Sequence, residues 1–323
     1  MENINYADTT FVFLATILVL LMTPALSLFY GGMVRKKNIL STTMHSYAAI
    51  AVVSIQWILF GYSFVFGGYG PLIGDGSFAL LNNVSFAPID YAPTIPHQLF
   101  LMFQLAFAVI TPALISGSIA ERMKFPAFLA FILLWTTFVY DPIAHWIWGN
   151  GGWIRELDAL DFAGGSVIHI SSGVSALVAA IYIGKRSNHD SIKPHNIPMT
   201  MIGAGLLLFG WYGFNAGSAL AINDIALNAF IATNTSAAAA GLSWMFCEWL
   251  IHKKPTALGF VSGIVAGLVS ITPGAGFVSP FASLMIGLIG GIVCFYGVTV
   301  LKKKIAYDDA LDAFGCHGIG GIW

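Results

Sequence analysis

Two histidines lie within apolar, glycine-rich segments of this sequence, His169 in DFAGGSVIHISSG and His317 in DAFGCHGIGG. A charged side chain inside hydrocarbon costs roughly 3 kcal/mol on insertion scales, so an ionisable residue there usually serves a function. A neutral imidazole has one donor and one acceptor nitrogen, so two facing imidazoles can share and pass a proton. The pair predicts a polar, proton-handling centre in apolar surroundings; the alternative is two packing histidines bonded to the backbone.

Composition places the rest of the chain in a membrane. Of 323 residues, 57% are hydrophobic and only 9% are charged, whereas soluble domains carry about 25% charge. The net charge of −1 gives no indication of nucleic-acid binding. Cys247, Cys294 and Cys316 show no CxxC spacing, so we interpret them as packing residues and expect no disulfide, metal or cofactor.

The elements that must position the histidines are apolar stretches of spanning length, about 20 residues each. They cover residues 9–32, 41–66, 98–119, 125–147, 163–184, 197–219, 225–250, 257–273 and 278–301. A tenth begins near Asp312, and its 12 residues give about 18 Å of helix against a core of about 30 Å. We therefore expect an all-α polytopic membrane protein, a single domain over 1–323 that is truncated within its tenth span.

Charge orients the spans. Thirteen of the 14 lysines and arginines follow odd-numbered spans, and only Arg155 follows an even one. The positive-inside rule then predicts an N-terminus outside, odd-numbered loops in the cytoplasm and a first span that is retained in the membrane. The longest outside loop, about 67–97, is rich in Gly, Pro, Asn and Asp and should be irregular.

The histidines fall in the fifth and tenth spans, the last of each set of five. Five spans per half predict two inverted repeats, about 9–184 and 197–323, with a site near the midplane where the halves meet. Two helices that enter from opposite faces can bring His169 and His317 together there.

Several segments resemble the ammonium transporter family (Amt, Mep and Rhesus proteins) in their order and spacing. They are FYGG at 29–32, FQ at 103–104 with Phe107, AER at 120–122, AH at 144–145 with Trp148, DFAGG at 161–165 with His169, KPHN at 193–196, GFNAGS at 213–218 and FGCHG at 314–318. Length and span count match the bacterial Amt branch.

The resemblance implies a fold of eleven helices in a five-plus-five inverted arrangement, of which nine and part of a tenth are present here. It implies a homotrimer in the cell (inner) membrane with one pore per subunit and no cofactor or metal. A cytosolic PII-type regulator is an expected partner, docking on the inner loops and the C-terminal tail.

The resemblance also implies roles for single residues. Phe107, Trp148 and Ser218 form a cation recruitment site, Phe107 and Phe214 a stacked gate, and His169 and His317 the pore and proton relay. An indole face attracts a cation by about 0.5–2 kcal/mol, although a single tryptophan can equally be an interfacial anchor. Trp211 is a further pore-lining candidate.

Asp161 and Asp312 stand near the starts of the two histidine-bearing spans. A carboxylate at a helix N-terminus can cap free N–H groups and is favoured by the helix dipole. We expect both residues to act structurally and electrostatically, without ligating the substrate.

The leading hypothesis is nitrogen uptake by transport and not by an enzyme. Ammonium, and methylammonium as an analogue, is recruited outside, loses its proton in a dry pore, and crosses as NH₃. An ammonium ion there resembles a buried lysine, whose pKa can fall by about 3–5 units.

The second hypothesis is a sensor of the same fold, with a signalling domain after the last span. A haem bound between His169 and His317 is less consistent with one histidine per helix. An intramembrane hydrolase lacks a supporting HExxH or serine–histidine motif.

Overall fold

The computed structural model describes residues 4–187 and 193–323, and no strand of a sheet occurs within those ranges. Eight helices there are long and apolar enough to cross a membrane. They are α1 (Tyr6–Met33), α2 (Lys36–Phe66), α3 (His97–Ile119), α4 (Phe125–Trp148), α5 (Gly165–Ile183), α6 (Ile197–Gly217), α7 (Asp224–His252) and α9 (Pro280–Ile305). The shorter apolar helix α8 (Ala257–Ile271) and the helical segment α10 (314–322) complete the set.

Several helices begin at polar caps, whose side chains accept from first-turn N–H groups that lack partners within the helix, whereas α3 and α4 have no such cap. Asn5 accepts from the amides of Ala7 and Asp8 at α1, and Asn196 accepts from Met199 at α6. The segment between α2 and α3 is irregular as predicted: it contains one short 3₁₀ turn, Ala79–Leu81.

The packing order differs from the chain order. α1 packs along α6, the first helix of the predicted second half, and α3 packs on α5. Helix α3 is almost completely buried, while large apolar side chains such as Phe138, Phe209 and Leu242 are exposed on the outer helices. An apolar exterior around a buried central helix is what a lipid solvent favours.

Both histidine-bearing helices open with a wide π turn, Gly165–Ile170 in α5 and Phe314–Gly318 in α10. π turns of this kind occur mostly at functional sites. The two helices cross where Gly173 meets Gly318: a Cβ built on Gly173 would lie 2.1 Å from the Gly318 nitrogen. Only glycine permits this approach, and the crossing sets the distance between the histidines.

Candidate functional site

The two predicted histidines meet in the interior. The Nδ1 atoms of His169 and His317 lie 3.2 Å apart, and the side chains are 1% and 4% exposed. The rings are nearly parallel, with centroids 5.3 Å apart and an interplanar angle of 21°. A separation of 3.2 Å is within hydrogen-bonding range, so one Nδ1 carries the shared proton and the other accepts it.

Aromatic rings form one wall beside this pair. The Trp211 ring lies 5.3 Å from the His169 ring at 18°, and its Nε1 donates to Thr272 Oγ1 at 3.0 Å. Phe214 lies on the same side, 6.0 Å from His169. Because the indole N–H is already satisfied by Thr272, Trp211 presents only its ring face to the lumen.

The space between these side chains is narrow and apolar. Its lining is Met22, Leu26, Phe29, Ile110, Leu114, Ile168, His169, Leu207, Trp211, Phe214, Val265 and His317. The cavity volume is about 10 Å³, roughly what one water molecule needs. The Nε2 atom of His169 is buried there without a partner among the described residues.

Phe107 and Phe214 separate this lumen from the outer side. Their ring centroids lie 4.6 Å apart at an interplanar angle of 89°. The contact is edge to face, so the two phenyl rings are in contact as expected but are not stacked in parallel. Such a contact is favourable and leaves no room for a hydrated ion until one ring rotates.

A larger cavity of about 280 Å³ opens above the phenyl pair. It is lined by Phe66, Asp90, Tyr91, Phe100, Gln104, Phe107, Trp148, Arg155, Asp161, Phe162, Ser218, Leu220 and Phe277. All three predicted recruitment residues, Phe107, Trp148 and Ser218, therefore share one cavity. The Ser218 hydroxyl donates to the Phe214 carbonyl at 2.8 Å, which leaves its lone pairs free to accept from a substrate N–H.

Asp161 caps the first turn of α5. Its Oδ1 accepts from the amides of Gly164 and Gly165 at 2.8 and 2.6 Å, and its Oδ2 accepts from Ser166 and Val167 at 2.8 and 3.2 Å. Its backbone oxygen also accepts from Trp148 Nε1 at 2.9 Å. Asp161 thus joins the helix that carries His169 to the tryptophan of the outer cavity.

At the other end, the residue that caps α10 is Asp309, and Asp312 has a different partner. Asp309 Oδ2 accepts from the Phe314 amide at 2.7 Å, whereas Asp312 Oδ1 pairs with Lys302 Nζ at 2.5 Å. The spacing offered a signal: Asp309 precedes His317 by eight residues, as Asp161 precedes His169 by eight. Asp312 lines a cavity together with His317, and its expected electrostatic role stays a prediction.

An ion-pair cluster that the sequence did not predict lies at Asp308, next to the cap residue Asp309. Asp308 accepts from the Arg186 guanidinium at 2.8 and 2.9 Å and lies 3.7 Å from Arg122. Burial alone would raise the pKa of the Asp308 carboxyl, but the hydrogen bonds from Arg186 and the charges of Arg186 and Arg122 lower it to about 2. Arg186 also lies 3.8 Å from Glu121, which pairs with Arg35 at 2.8 Å.

The basic residues of the inner loops therefore divide into two groups. The residues that pair with acidic side chains of this chain are Arg35, Arg122, Arg186 and Lys302. The exposed ones are Lys36, Lys37, Lys124, Lys185, Lys193, Lys253, Lys254, Lys303 and Lys304, and these are open to a partner protein.

Comparison with known proteins gives a consistent result. The sequence model of the Ammonium Transporter Family matches residues 10–323. The ammonium transporter of Bacillus subtilis is 60% identical over 316 residues, which cover 98% of this chain and 78% of that protein. Ammonium transporter Amt1 of Archaeoglobus fulgidus is 49% identical over 320 residues, 98% of this chain and 78% of that protein.

Solved structures agree with the architecture. The crystal structure of Candida albicans Mep2 matches with a TM-score of 0.93 at 37% identity, covering 99% of this chain and 72% of that one. A structure named Sensor Amt Protein matches with a TM-score of 0.93 at 31% identity, covering 100% of this chain and 82% of that one.

Proposed function

This chain belongs to the ammonium transporter family and is a multi-pass protein of the cell membrane, and we propose that it transports ammonium through the lumen lined by His169 and His317. The observation that carries the proposal is the buried imidazole pair, with Nδ1 atoms 3.2 Å apart, in an otherwise apolar lumen of about 10 Å³. The names of the relatives, each called an ammonium transporter, agree with this substrate.

We assign the first step to the outer cavity. NH₄⁺ lies there against the faces of Phe107 and Trp148, whose ring centroids are 6.1 Å apart, and donates an N–H to the Ser218 hydroxyl. The phenyl pair below excludes the hydrated ion. Cation–π contacts replace part of the lost hydration, and the serine acceptor distinguishes ammonium from a potassium ion, which has no N–H to donate.

The second step is deprotonation. One N–H bond of ammonium breaks, its electron pair stays on nitrogen, and NH₃ enters the apolar lumen, where a cation would be costly. The proton passes to Nε2 of His169, which is buried without a partner among the described residues. A proton added at one Nε2 lets the shared Nδ1 proton move to the other ring, which then releases its own Nε2 proton on the inner side.

The exposed surface of the protein supports two expected partners, further copies of this chain and a PII-type regulator. A homotrimer in the membrane would cover part of the exposed apolar surface, and the exposed inner lysines give a PII-type regulator a basic face to recognise. We propose both partners, and we also propose that the chain consists of two inverted repeats, at about 9–184 and 197–323.

A solid-supported membrane measurement on the full-length protein in liposomes tests the proposal. An ammonium pulse should evoke a saturable current in the wild type and none in His169→Ala. His45→Phe is the matched control, because His45 is buried beside Phe128 outside the lumen and should leave the current intact. A current that survives His169→Ala would overturn the role of the pair.

A sensor is the second candidate, favoured by the likeness to the Sensor Amt Protein structure. Specific ammonium binding to a folded sample without any current or ¹⁵N-ammonium uptake would support the sensor and contradict transport.

A further inference from the structure

Outside the lumen, a carboxylic acid lies in the middle of a spanning helix. Asp141 in α4 is 0% exposed, and its Oδ2 accepts from Nε2 of Gln56 in α2 at 2.6 Å. Gln56 is 1% exposed. Neither side chain lines the outer cavity or the histidine lumen, so the transport steps above make no use of them.

Both helices change geometry at this contact. Helix α2 forms a π turn at Trp57–Gly61, directly after Gln56, and helix α4 forms one at Thr136–Tyr140, directly before Asp141. A Cβ built on Gly61 would lie 2.5 Å from Gln56 Oε1, so the missing side chain of Gly61 makes room for the amide. The backbone of both spans is thus shaped around this polar pair.

The second oxygen of each side chain lacks a hydrogen-bond donor, and the carboxylate lacks a counter-ion. Asp141 Oδ1 and Gln56 Oε1 are both buried with no hydrogen-bond partner in the described parts of the chain, and no basic side chain there pairs with Asp141. An ionised carboxylate and an amide oxygen can only accept, so two such oxygens cannot satisfy each other. An unpaired carboxylate at this depth would also carry the full penalty of a buried charge.

We propose that Asp141 carries a proton and forms a reciprocal acid–amide pair with Gln56. The Gln56 N–H donates to one carboxyl oxygen, and the carboxyl O–H donates back to Gln56 Oε1. This arrangement satisfies both orphan oxygens, removes the buried charge and closes a hydrogen-bonded ring between two spans. It requires no other protein group and no ion.

The pair positions the outer part of α4. The short helix Asp141–Trp148 begins at the pair and ends at the tryptophan of the outer cavity. A second contact, between His145 Nδ1 and the Val65 carbonyl at 2.6 Å, joins the same two spans further out. Asp141 and Gln56 are therefore positioning residues for Trp148, and this consequence alone rests on the proposed function.

Infrared spectroscopy tests the protonation without any transport assay. The difference spectrum between wild type and Asp141→Asn at neutral pH should contain the carbonyl band of a protonated carboxylic acid, and Gln56→Leu should shift that band to higher frequency. A difference spectrum that contains only carboxylate bands would overturn the proposal, whatever the protein transports.

A double-mutant cycle of Gln56→Leu, Asp141→Leu and their combination tests the pairing, with Asp141→Asn as the conservative variant. Gln56→Leu leaves a buried acid without a partner and should lower Tm by several degrees, whereas Asp141→Asn, whose amide can still donate and accept, should retain the wild-type Tm. The double variant Gln56→Leu/Asp141→Leu should recover most of the loss, because replacing a whole buried polar pair is far less costly than orphaning one member. Additive losses would contradict the pair.

Concentration dependence tests the positioning. In Gln56→Leu, which breaks the pair, the ammonium concentration at half-maximal current should rise several-fold with little change in the maximal current, because recruitment at Trp148 is affected and the histidine pair is not. Asp141→Asn, which keeps both hydrogen bonds of the pair, should leave this concentration unchanged. Phe138→Leu, on the lipid-exposed surface of the same π turn, is the control and should change neither quantity. An equal fall of the maximal current in all variants would contradict a positioning role.

Discussion

The two helices that carry His169 and His317 are built alike but differ at their entrances. Each begins with an aspartate that accepts from first-turn amides eight residues before its histidine, and each opens with a π turn. At the outer entrance, Asp161 accepts four amides and borders a cavity of about 280 Å³. At the inner entrance, Asp309 is 0% exposed, and its Oδ1 has no partner among the described residues.

The charges around the two caps differ as well. The inner cap lies between Asp308 and Asp312, which pair with Arg186 and Lys302. Burial, followed by the charge of Asp312, raises the pKa of Asp309 to about 6. The outer cap has no ion pair in the described parts of the chain. Backbone amides are therefore the partners of the cap at both helix starts, but only the inner cap has ion pairs on the neighbouring aspartates.

We expect the strongest loss of activity from a change at the crossing of the two histidine-bearing helices. Gly173→Ala places a methyl group 2.1 Å from the Gly318 nitrogen, and this backbone contact can be relieved only if the helices separate. Because proton transfer between the imidazoles depends steeply on distance, we expect an about 100-fold loss of ammonium current. Gly205→Ala, which meets nothing within 4 Å, is the control. Equal currents in the two variants would rule out a tight crossing.

The second prediction separates the two caps. Asp161→Ala orphans four amides and should destabilise the protein by about 3 kcal/mol, whereas Asp309→Ala orphans fewer and should have a smaller effect. Thermal unfolding in detergent measures both. Glu156→Ala, in the exposed loop before Asp161, should unfold like wild type. A lower unfolding temperature for Asp309→Ala than for Asp161→Ala would contradict the view that the outer cap stabilises its helix more.

The third prediction concerns pH at the inner entrance. The pKa of Asp308 is lowered to about 2 in the folded protein, so its ion pairs stabilise the fold above the unfolded value of about 3.9 and are lost as pH falls toward 2. The difference in stability between wild type and Asp308→Asn should be about 2 kcal/mol at neutral pH and should shrink below about pH 4. Unfolding measured at a series of pH values checks this. A difference that grows on acidification would contradict the sign.

A smaller effect, on the half-saturating ammonium concentration, is expected from the basic residue of the outer cavity. Arg155 lines the cavity, donates to the Trp148 carbonyl, and holds its guanidinium carbon 5.8 Å from the centre of the Tyr91 ring. A fixed cation at a cation site weakens recruitment, so Arg155→Gln should lower the half-saturating ammonium concentration by about threefold at low salt and less at high salt. Arg155→Lys keeps the charge and should not. A salt-independent change shared by both variants would indicate a purely structural role.

Much of the fold could be predicted from the sequence because lipid imposes a simple rule on composition. Long apolar runs must be helices, and the predicted spans coincide with α1–α9 to within a few residues. Two features differ from the prediction. Helix α8 ends at Ile271, two residues before the predicted end, where the chain turns. The π turns in α2, α4 and α9 were not predicted, because hydropathy does not depend on the width of a helical turn.

For the candidate site, the sequence predicted which residues take part but not how they are oriented or paired. His169, His317, Phe107, Trp148 and Ser218 were identified by residue type and motif, and the structure brings them into one cavity and one lumen. The edge-to-face contact of the phenyl rings was missed because ring orientation depends on neighbours that are distant in sequence. The Gln56–Asp141 pair gave a signal that was not used: each residue is a polar interruption within an apolar span.

Local composition and residue chemistry were enough to predict that lipid is the solvent, that the chain is helical and which side chains could carry a proton. Which groups meet depends on the packing of the helices: His169 with His317, Asp309 with the first turn of α10, and Gln56 with Asp141. The first and last of these contacts join residues 148 and 85 positions apart. Such contacts depend on where helices cross and how their turns widen, and local periodicity carries no information about either.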